Sequence, residues 1–486
     1  MNNDLVEEYQ PVNLSPVAKS KRIDVLDIIR GVALLGIVLM NIEWFNRPII
    51  DLSSFNKDLT GLDHATGWLI RCFVEGKLYK LFALLFGMGF AIMLVRAKEA
   101  NRPFNAWFIR RMTFLLFIGL CHLIFIWSGD ILHDYAIAGF ILLVYVNLLK
   151  LKRLQKYDNP DSILKLSLIW LMFPFIMFTL FGIGSGAYFD NAKVNKKWQE
   201  DVEITNQIES RYEDEKGKLL THSFESEETT ETIDDDDNDK EKSPEEIQEQ
   251  KISKAVKARL KYDQKKHEEV SKLSQGTYYE VLKFQANYSL SALAKAPVFG
   301  LMMLMPIFLF GYWMILSNII REHQKHKRFY KYLSRIGIGV GLLTTVCGLL
   351  IMQHPLTENE KMFQGIGNLL FFFGQITMTA GYLGFIVRMV QSQKWGKYMK
   401  FFAPYGKMAL TNYISQSLIM VSLFFGYAGG LYGQVSRSQQ VLVVLAIFIF
   451  QIVFSKLWLN RYRFGPLEWL WRSFTYKKFQ SMKIVN

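Results

Sequence analysis

The sequence predicts an all-α polytopic membrane protein. It has about ten transmembrane helices, both termini cytoplasmic, and one large charged extracytoplasmic insertion between helices 5 and 6. Three observations carry this. The 486 residues are 50% hydrophobic and only 21% charged, and their mean hydropathy of +0.11 averages long apolar runs with short clusters of Lys and Arg. A run of about 20 apolar residues spans the ~30 Å hydrocarbon layer as a helix. Several such runs exclude a soluble enzyme, a secreted disulfide scaffold and a disordered chain.

Ten runs fit spanning helices, at Ile28–Phe45, Leu78–Val95, Phe108–Trp127, Ile131–Leu149, Leu164–Ser185, Pro297–Ile319, Ile336–Met352, Asn368–Val390, Met408–Tyr427 and Val441–Leu459. The first starts too late and lacks the small-residue site of a cleaved signal. Every second connection is basic: Lys19, Lys21, Arg22 and Arg30; Arg96 to Arg111; Lys150 to Lys156; Arg321 to Arg328; Lys394 to Lys400; and Arg461 to Lys478. The positive-inside bias puts these clusters in the cytoplasm. The expected divisions are a cytoplasmic tail (1–27), spans 1–5 (28–185), the insertion (186–290), spans 6–10 (291–460) and a cytoplasmic amphipathic tail (461–486).

The net charge of +13 divides unevenly. Residues 187–284 hold 25 acidic against 17 basic side chains, a balance of −8, so the remainder carries +21. That excess borders apolar runs and reads as topology and contact with anionic lipid, not nucleic-acid binding. The insertion has helical, charged ends near Lys193–Lys216 and Pro244–Lys272. Between them Glu225–Lys242, with its four aspartates at 234–237, lacks the alternating ligands and turn glycine of a calcium loop and reads as a solvated segment. Cys72, Cys121 and Cys347 are odd in number and have no metal-type spacing. No internal repeat or pair of broken helices is visible.

Ionisable groups at bilayer depth cost about 2.5–3.5 kcal/mol each on insertion scales, so those present need a reason. Asp27, Arg30, Leu34, Val38 and Asn41 follow 3–4 residue spacing on the first helix and form one stripe. It reads either as an ion pair plus an interhelical hydrogen bond, or as a charged entrance leading to an amide about 21 Å along the axis. Arg111 and His122 share a face of the third helix. Asp130 caps the fourth helix or orients His122, and His122 is a packed histidine or a proton carrier. His122, Asp130, His133 and Asp134 cross a hairpin and make no firm metal set. Asn412 and Gln416 either join helices or line a polar cavity. Pro466 starts an amphipathic helix, with Trp469 and Trp471 at the lipid interface. Arg461, Arg463 and Glu468 are an interfacial anchor or help close an anion site.

These residues carry a resemblance. Arg22-Ile-Asp-Val-Leu-Asp-Ile-Ile-Arg-Gly31 through Asn41, Phe82-Ala-Leu-Leu-Phe-Gly-Met-Gly-Phe90, Gly119-Leu-Cys-His122 with Gly129-Asp-Ile-Leu132 and Tyr135, Gly406-Lys-Met-Ala-Leu-Thr-Asn-Tyr413 and Gly465-Pro-Leu-Glu-Trp-Leu-Trp-Arg472 resemble the motifs of the YeiB-like bacterial membrane proteins (domain of unknown function 418). More remotely, the Leu-Asp-x-x-Arg-Gly start is similar to the polytopic membrane acyltransferases, including the heparan-glucosaminide acetyltransferase group and the sugar O-acyltransferases. That resemblance implies transfer of an acyl group from cytoplasmic acyl-CoA to a hydroxyl or amine acceptor. The heparan-type enzymes place their histidine soon after the matching asparagine, where this chain has only His64 with different neighbours. The sugar enzymes place theirs late in the first helix, near Asn41 here.

His122 is therefore assigned as base on physical grounds, with Asp130 orienting it and Asn41 or Asn412 donating to an oxyanion. Asp27, Arg30, Arg111, Asn412, Gln416 and Arg461 are the expected acyl-CoA contacts. No metal is expected. The expected setting is the bacterial cytoplasmic (inner) membrane, with lipids, acyl-CoA and an acceptor as partners. A protein partner for the insertion and a homodimer are both compatible. The rival readings are a transporter or flippase of an anionic or lipid-linked molecule, and a non-catalytic sensor or assembly factor.

Overall fold

The computed structural model describes residues 23–49, 59–177, 179–180, 207–216, 244–354 and 361–484. In chain order its helices are α1 (Asp24–Asn46), α2 (Gly61–Phe73), α3 (Leu78–Glu99), α4 (Phe104–Phe125), α5 (Leu132–Leu148), α6 (Pro160–Met177), α7 (Pro244–Gln275), α8 (Tyr278–Phe299), α9 (Met305–Leu316), α10 (Lys327–Gln353), α11 (Lys361–Gln391), α12 (Gln393–Met399), α13 (Ala403–Lys407), α14 (Ala409–Phe424), α15 (Arg437–Arg461) and α16 (Pro466–Tyr476). Among the described residues eight helical runs are long and apolar enough to cross a membrane, and α5 and α14 are shorter apolar helices. Each of the ten apolar runs falls on one of these. The fold is thus an all-α polytopic membrane protein.

A largely apolar sequence makes α1 the hub. It packs against α3, α13, α14 and α15. Leu26, Ile29, Ala33 and Leu34 are sealed in the main core. At the far end Ile42 and Phe45 join a second cluster with Trp127 and Phe424, where Phe45 stacks on Trp127 at 4.2 Å. The connections sort into two sets that touch one another. At the basic end Lys98 meets Asp158 at 3.8 Å, Arg110 donates to the Thr475 carbonyl at 3.1 Å, and Gln391 donates to the His323 carbonyl. At the opposite end Asn46 donates to the Val435 carbonyl, the Ser438 amide donates to Asp63, and the Ile49 amide donates to Glu269 of α7.

The structure departs from the sequence expectation in two places. First, α8 begins at Tyr278, well before the run expected at Pro297. A capping box of Thr277 and Glu280 starts it, and a π-turn at Gly300–Leu304 carries it into α9. Polar residues hid this helix. Gln285 and Ser289 are buried, and Ser289 donates to the Leu123 carbonyl of α4 at 3.0 Å. In the insertion, the helical segment 207–216 pairs with α7 through Tyr212, Ile252 and Val256 and an Arg259–Glu209 bridge of 2.7 Å. Residues 1–22, 181–206 and 217–243, including the four aspartates at 234–237, lie outside the described residues.

Second, the expected span Leu78–Val95 is the lower half of a broken helix. The chain leaves α2 at Val74, turns, and re-enters as α3 at Leu78. Leu78 lies against Gly36, about halfway along α1, so the break sits deep in the bundle. Lys77 and Lys80 are both buried there. Lys77 donates to the Arg71 carbonyl at 2.7 Å; Lys80 donates to the Gly76 carbonyl at 2.7 Å and to Gln375 of α11 at 2.6 Å. Cations suit the carbonyl-bearing end of a helix, and irregular backbone at this depth persists only inside protein or beside a cavity. Gly76 makes the turn possible with φ +75°, and a Cβ there would meet the Gln375 amide at 2.1–2.3 Å.

Gly76→Ala should therefore cost about 1–3 kcal/mol in unfolding free energy from strain and overpacking, lowering the thermal midpoint in detergent. Gly89→Ala in α3, where a Cβ meets nothing within 4 Å, should leave the midpoint unchanged or raised.

Candidate functional site: an amphiphilic cavity and a histidine cluster

A cavity of about 790 Å³ opens among α1, α3, α4, α5, α14 and α16. Its wall is graded. At the basic end it carries Arg30, Arg96, Arg111, Arg321, Lys407 and Arg472 against the carboxylates Asp27, Glu99 and Glu468. Further in, Leu34 and Ile37 of α1, Phe82 to Met93 of α3, Met112 and Leu115 of α4, and Leu132 of α5 make it apolar. On α3 the lining runs from Arg96 to Phe82, about 21 Å of helix. Its closed end holds Tyr135 and Tyr413; Tyr135 donates to the Tyr79 carbonyl at 2.9 Å.

Asp27, Arg30, Arg111 and Glu468 each have a structural anchor. Asp27 accepts from Arg30 at 2.9 Å, one turn along α1. Arg111 lies 3.6 Å over the Trp471 ring, and the Trp471 indole donates to the Arg111 carbonyl at 2.8 Å. Trp471 therefore faces the cavity, not the lipid interface expected for it. Stacking a guanidinium on an aromatic face leaves its N–H edge available for an anion. Glu468, on the first turn of α16, is buried and accepts from the Leu410 amide at 2.7 Å, the Thr411 amide at 3.1 Å and the Thr411 hydroxyl at 2.6 Å. It thus caps α14 from another helix. Burial raises its carboxyl above the usual range, while the bonds from Thr411 and Leu410 pull the other way.

Beyond the closed end lies a buried polar cluster. His122 Nδ1 is 2.9 Å from one oxygen of Asp130. The other oxygen meets His133 Nδ1 at 2.9 Å and accepts the His133 backbone amide at 2.9 Å, so Asp130 both caps α5 and holds two imidazoles. Gly119 permits this: a Cβ there would sit 2.5 Å from the His133 nitrogen, so α4 must be bare where α5 begins. His122 and Asp130 side chains are fully buried. The His122 ring lies 5.3 Å from that of Tyr413, centroid to centroid.

The structure gathers some of the expected site residues and separates others. Asp27, Arg30 and Arg111 share the cavity wall, whereas His122 and Asp130 do not reach it, since Tyr413 stands between. Asn41 is half-buried on α1 outside the lining: the cavity face continues through Ile37, while Val38 packs into the other core. Asn412 and Gln416 join helices. Asn412 donates to the Tyr405 carbonyl at 3.1 Å and to Ser455 at 3.0 Å, and Gln416 donates to the Tyr405 hydroxyl at 2.6 Å and to Gln451 at 2.9 Å. Arg461 is exposed at the end of α15. Sequence reasoning missed Arg96, Arg321 and Arg472, which it read as topology, and Tyr413, which stood within a quoted motif. Among the described residues no three His, Cys, Asp or Glu side chains are placed to hold a metal ion.

Glu468→Ala should leave buried donors of α14 without an acceptor, at about 1–3 kcal/mol. Hydrogen exchange at Leu410 and Thr411 should accelerate, and the melting midpoint should fall. Glu468→Gln, which keeps an acceptor oxygen, should show less of both.

The profile of a family described as "Protein of unknown function (DUF418)" matches residues 314–478. This stretch runs from the end of α9 through α16 and includes the Gly406–Tyr413 and Glu468–Tyr476 walls of the cavity. Over almost the whole chain the sequence is similar to the uncharacterized protein YxaH of Bacillus subtilis, with 28% identity covering 96% of this chain and 98% of that one. An uncharacterized 39.9 kDa protein in the amylase 3′ region of Bacillus acidopullulyticus shares 24%, covering 96% and 97%. The uncharacterized protein YeiB of Escherichia coli also shares 24%, covering 93% and 95%. No solved structure matches. Over its last third the chain is thus similar to the DUF418 profile, and along nearly its full length to the uncharacterized YxaH and YeiB proteins.

Proposed function

We propose that this protein is a multi-pass acyltransferase of the bacterial cytoplasmic membrane. It binds cytoplasmic acyl-CoA and passes the acyl group to a hydroxyl or amine acceptor. The observation that carries this reading is the grading of the cavity from six cations to an apolar closed end within one continuous wall. A polyphosphate head with a long apolar arm matches that order: guanidinium groups give short, charge-assisted bonds to phosphate, and the apolar depth takes the chain. Clustering of basic loops at the mouth supports a cytoplasmic opening. In this reading Tyr413, the polar residue at the closed end nearest His122, donates to the thioester oxygen. When its ring turns aside, His122 Nε2 takes the acceptor's proton, the acceptor attacks the carbonyl carbon, and the C–S bond breaks to release the thiolate.

The sealing of His122 behind Tyr413 favours a second reading, in which the cavity carries an anionic or lipid-linked molecule without chemistry. Transport into proteoliposomes that survives His122→Ala and needs no acyl donor would support that carrier and remove the first reading.

Calorimetric titration of the purified protein in detergent with acetyl-CoA and a long-chain acyl-CoA tests the site. The long chain should bind more tightly, by up to about 0.8 kcal/mol per buried CH₂. Arg30→Ala and Arg111→Ala should each weaken binding about 10- to 100-fold, as expected for a lost charge-assisted bond. Gly89→Phe, projecting into open cavity, should block the long chain while the protein stays folded. No binding by a monodisperse, folded sample sinks the proposal. In a turnover assay His122→Ala should lose at least about 100-fold.

A further inference from the structure

The buried cluster behind Tyr413 contains more than one base and its orienter. Asp130 receives both His122 Nδ1 and His133 Nδ1 at 2.9 Å. A carboxylate only accepts, so each of these nitrogens carries its proton. Nε2 of each ring is buried with no hydrogen-bond partner. The two rings differ in what lies near that atom: His133 Nε2 is 3.5 Å from an oxygen of Asp134, so this ring stands between two carboxyl groups. A neutral imidazole would turn its lone pair toward one of them, whereas an imidazolium sets positive charge between both.

We infer that His133 is held as an imidazolium bridging Asp130 and Asp134, and is the proton reserve that sets the charge around His122. With both carboxylates ionised the cluster then carries one net negative charge. The titratable groups facing it from the packed helices are Tyr413 of α14 and Tyr135 of α5. Among the described residues the ion pairs of Asp130 and Asp134 are with the two histidines alone. A proton gained at His122 Nε2 brings the cluster to neutrality. It is balanced when His133 Nε2 gives its proton to Asp134, whose side chain alone in the cluster is appreciably exposed, at 13%. His133 is thus a positioning residue, acting on His122 through Asp130. The bridge stands on geometry; only the source of the proton reaching His122 rests on the acyl-transfer reading.

Nitrogen NMR of the full-length protein labelled with ¹⁵N-histidine tests this. The chain has eight histidines, and His122→Asn and His133→Asn assign the two signals. At pH 7 both ring nitrogens of His133 should be protonated, while His122 should carry a proton on Nδ1. Asp134→Asn should remove the imidazolium signature of His133 in a protein whose circular dichroism and gel-filtration profile match the parent. A neutral His133 in the parent protein overturns the inference, as does an imidazolium that survives Asp134→Asn. If Asp134→Asn fails to fold, the parent spectrum still decides. Failure of acyl-CoA binding in the same sample would remove the acyltransferase reading and leave this bridge standing.

Discussion

Inside a bilayer the ends of helices are the difficulty, because their terminal amides and carbonyls have no water to turn to. Among the described residues three buried helix ends in this bundle are met by an ionisable side chain of fitting sign. The carbonyl end of α2 meets the ammonium group of Lys77, and the turn after it meets that of Lys80. The amide end of α5 meets Asp130, and the amide end of α14 meets Glu468. Positive groups at carbonyl ends and negative groups at amide ends are also what the helix dipole favours. The remaining architecture depends on these terminations, since they allow short and broken helices to sit against α1 without exposing backbone.

The cavity follows from them. A stack of full-length helices would close on itself; α5, packed on α4, and α14, packed on α1, start late and leave room at their ends. The same carboxylates that end the helices then border the space. Glu468 lies on its wall, and Asp130 lies one ring behind it. Ionisable groups so expensive at this depth are gathered where a helix terminus or another charge already satisfies them.

Much of this was legible in the sequence. Ten apolar runs and a strict alternation of basic connections anticipated the helices, and the Asp130–His122 contact was read from a Gly-Asp hairpin after a histidine-bearing helix. What was hidden has a common cause: a residue shows its own polarity in the sequence but not what covers it. Gln285 and Ser289 made α8 look like insertion because their burial against α4 is a tertiary fact. The stripe from Asp27 to Asn41 was followed through Val38, yet the second core claims Val38 and the cavity takes Ile37. Asn412 and Gln416 fitted both helix joining and cavity lining by type, and only the neighbours Tyr405, Ser455 and Gln451 decide for joining. The break at Gly76 was masked because the second apolar run was taken to begin at Leu78, which left α2 in the preceding connection.

The position of α16 has a consequence for how the molecule is made. Helix α14 is synthesised some forty residues before the carboxylate that ends it, and α4 more than three hundred residues before the indole that covers Arg111. Until residues 466–476 leave the ribosome, the amides of Leu410 and Thr411 and the guanidinium of Arg111 lack these partners. The bundle is therefore an unfinished vessel during most of its own translation, and its last helix is the keystone that closes it.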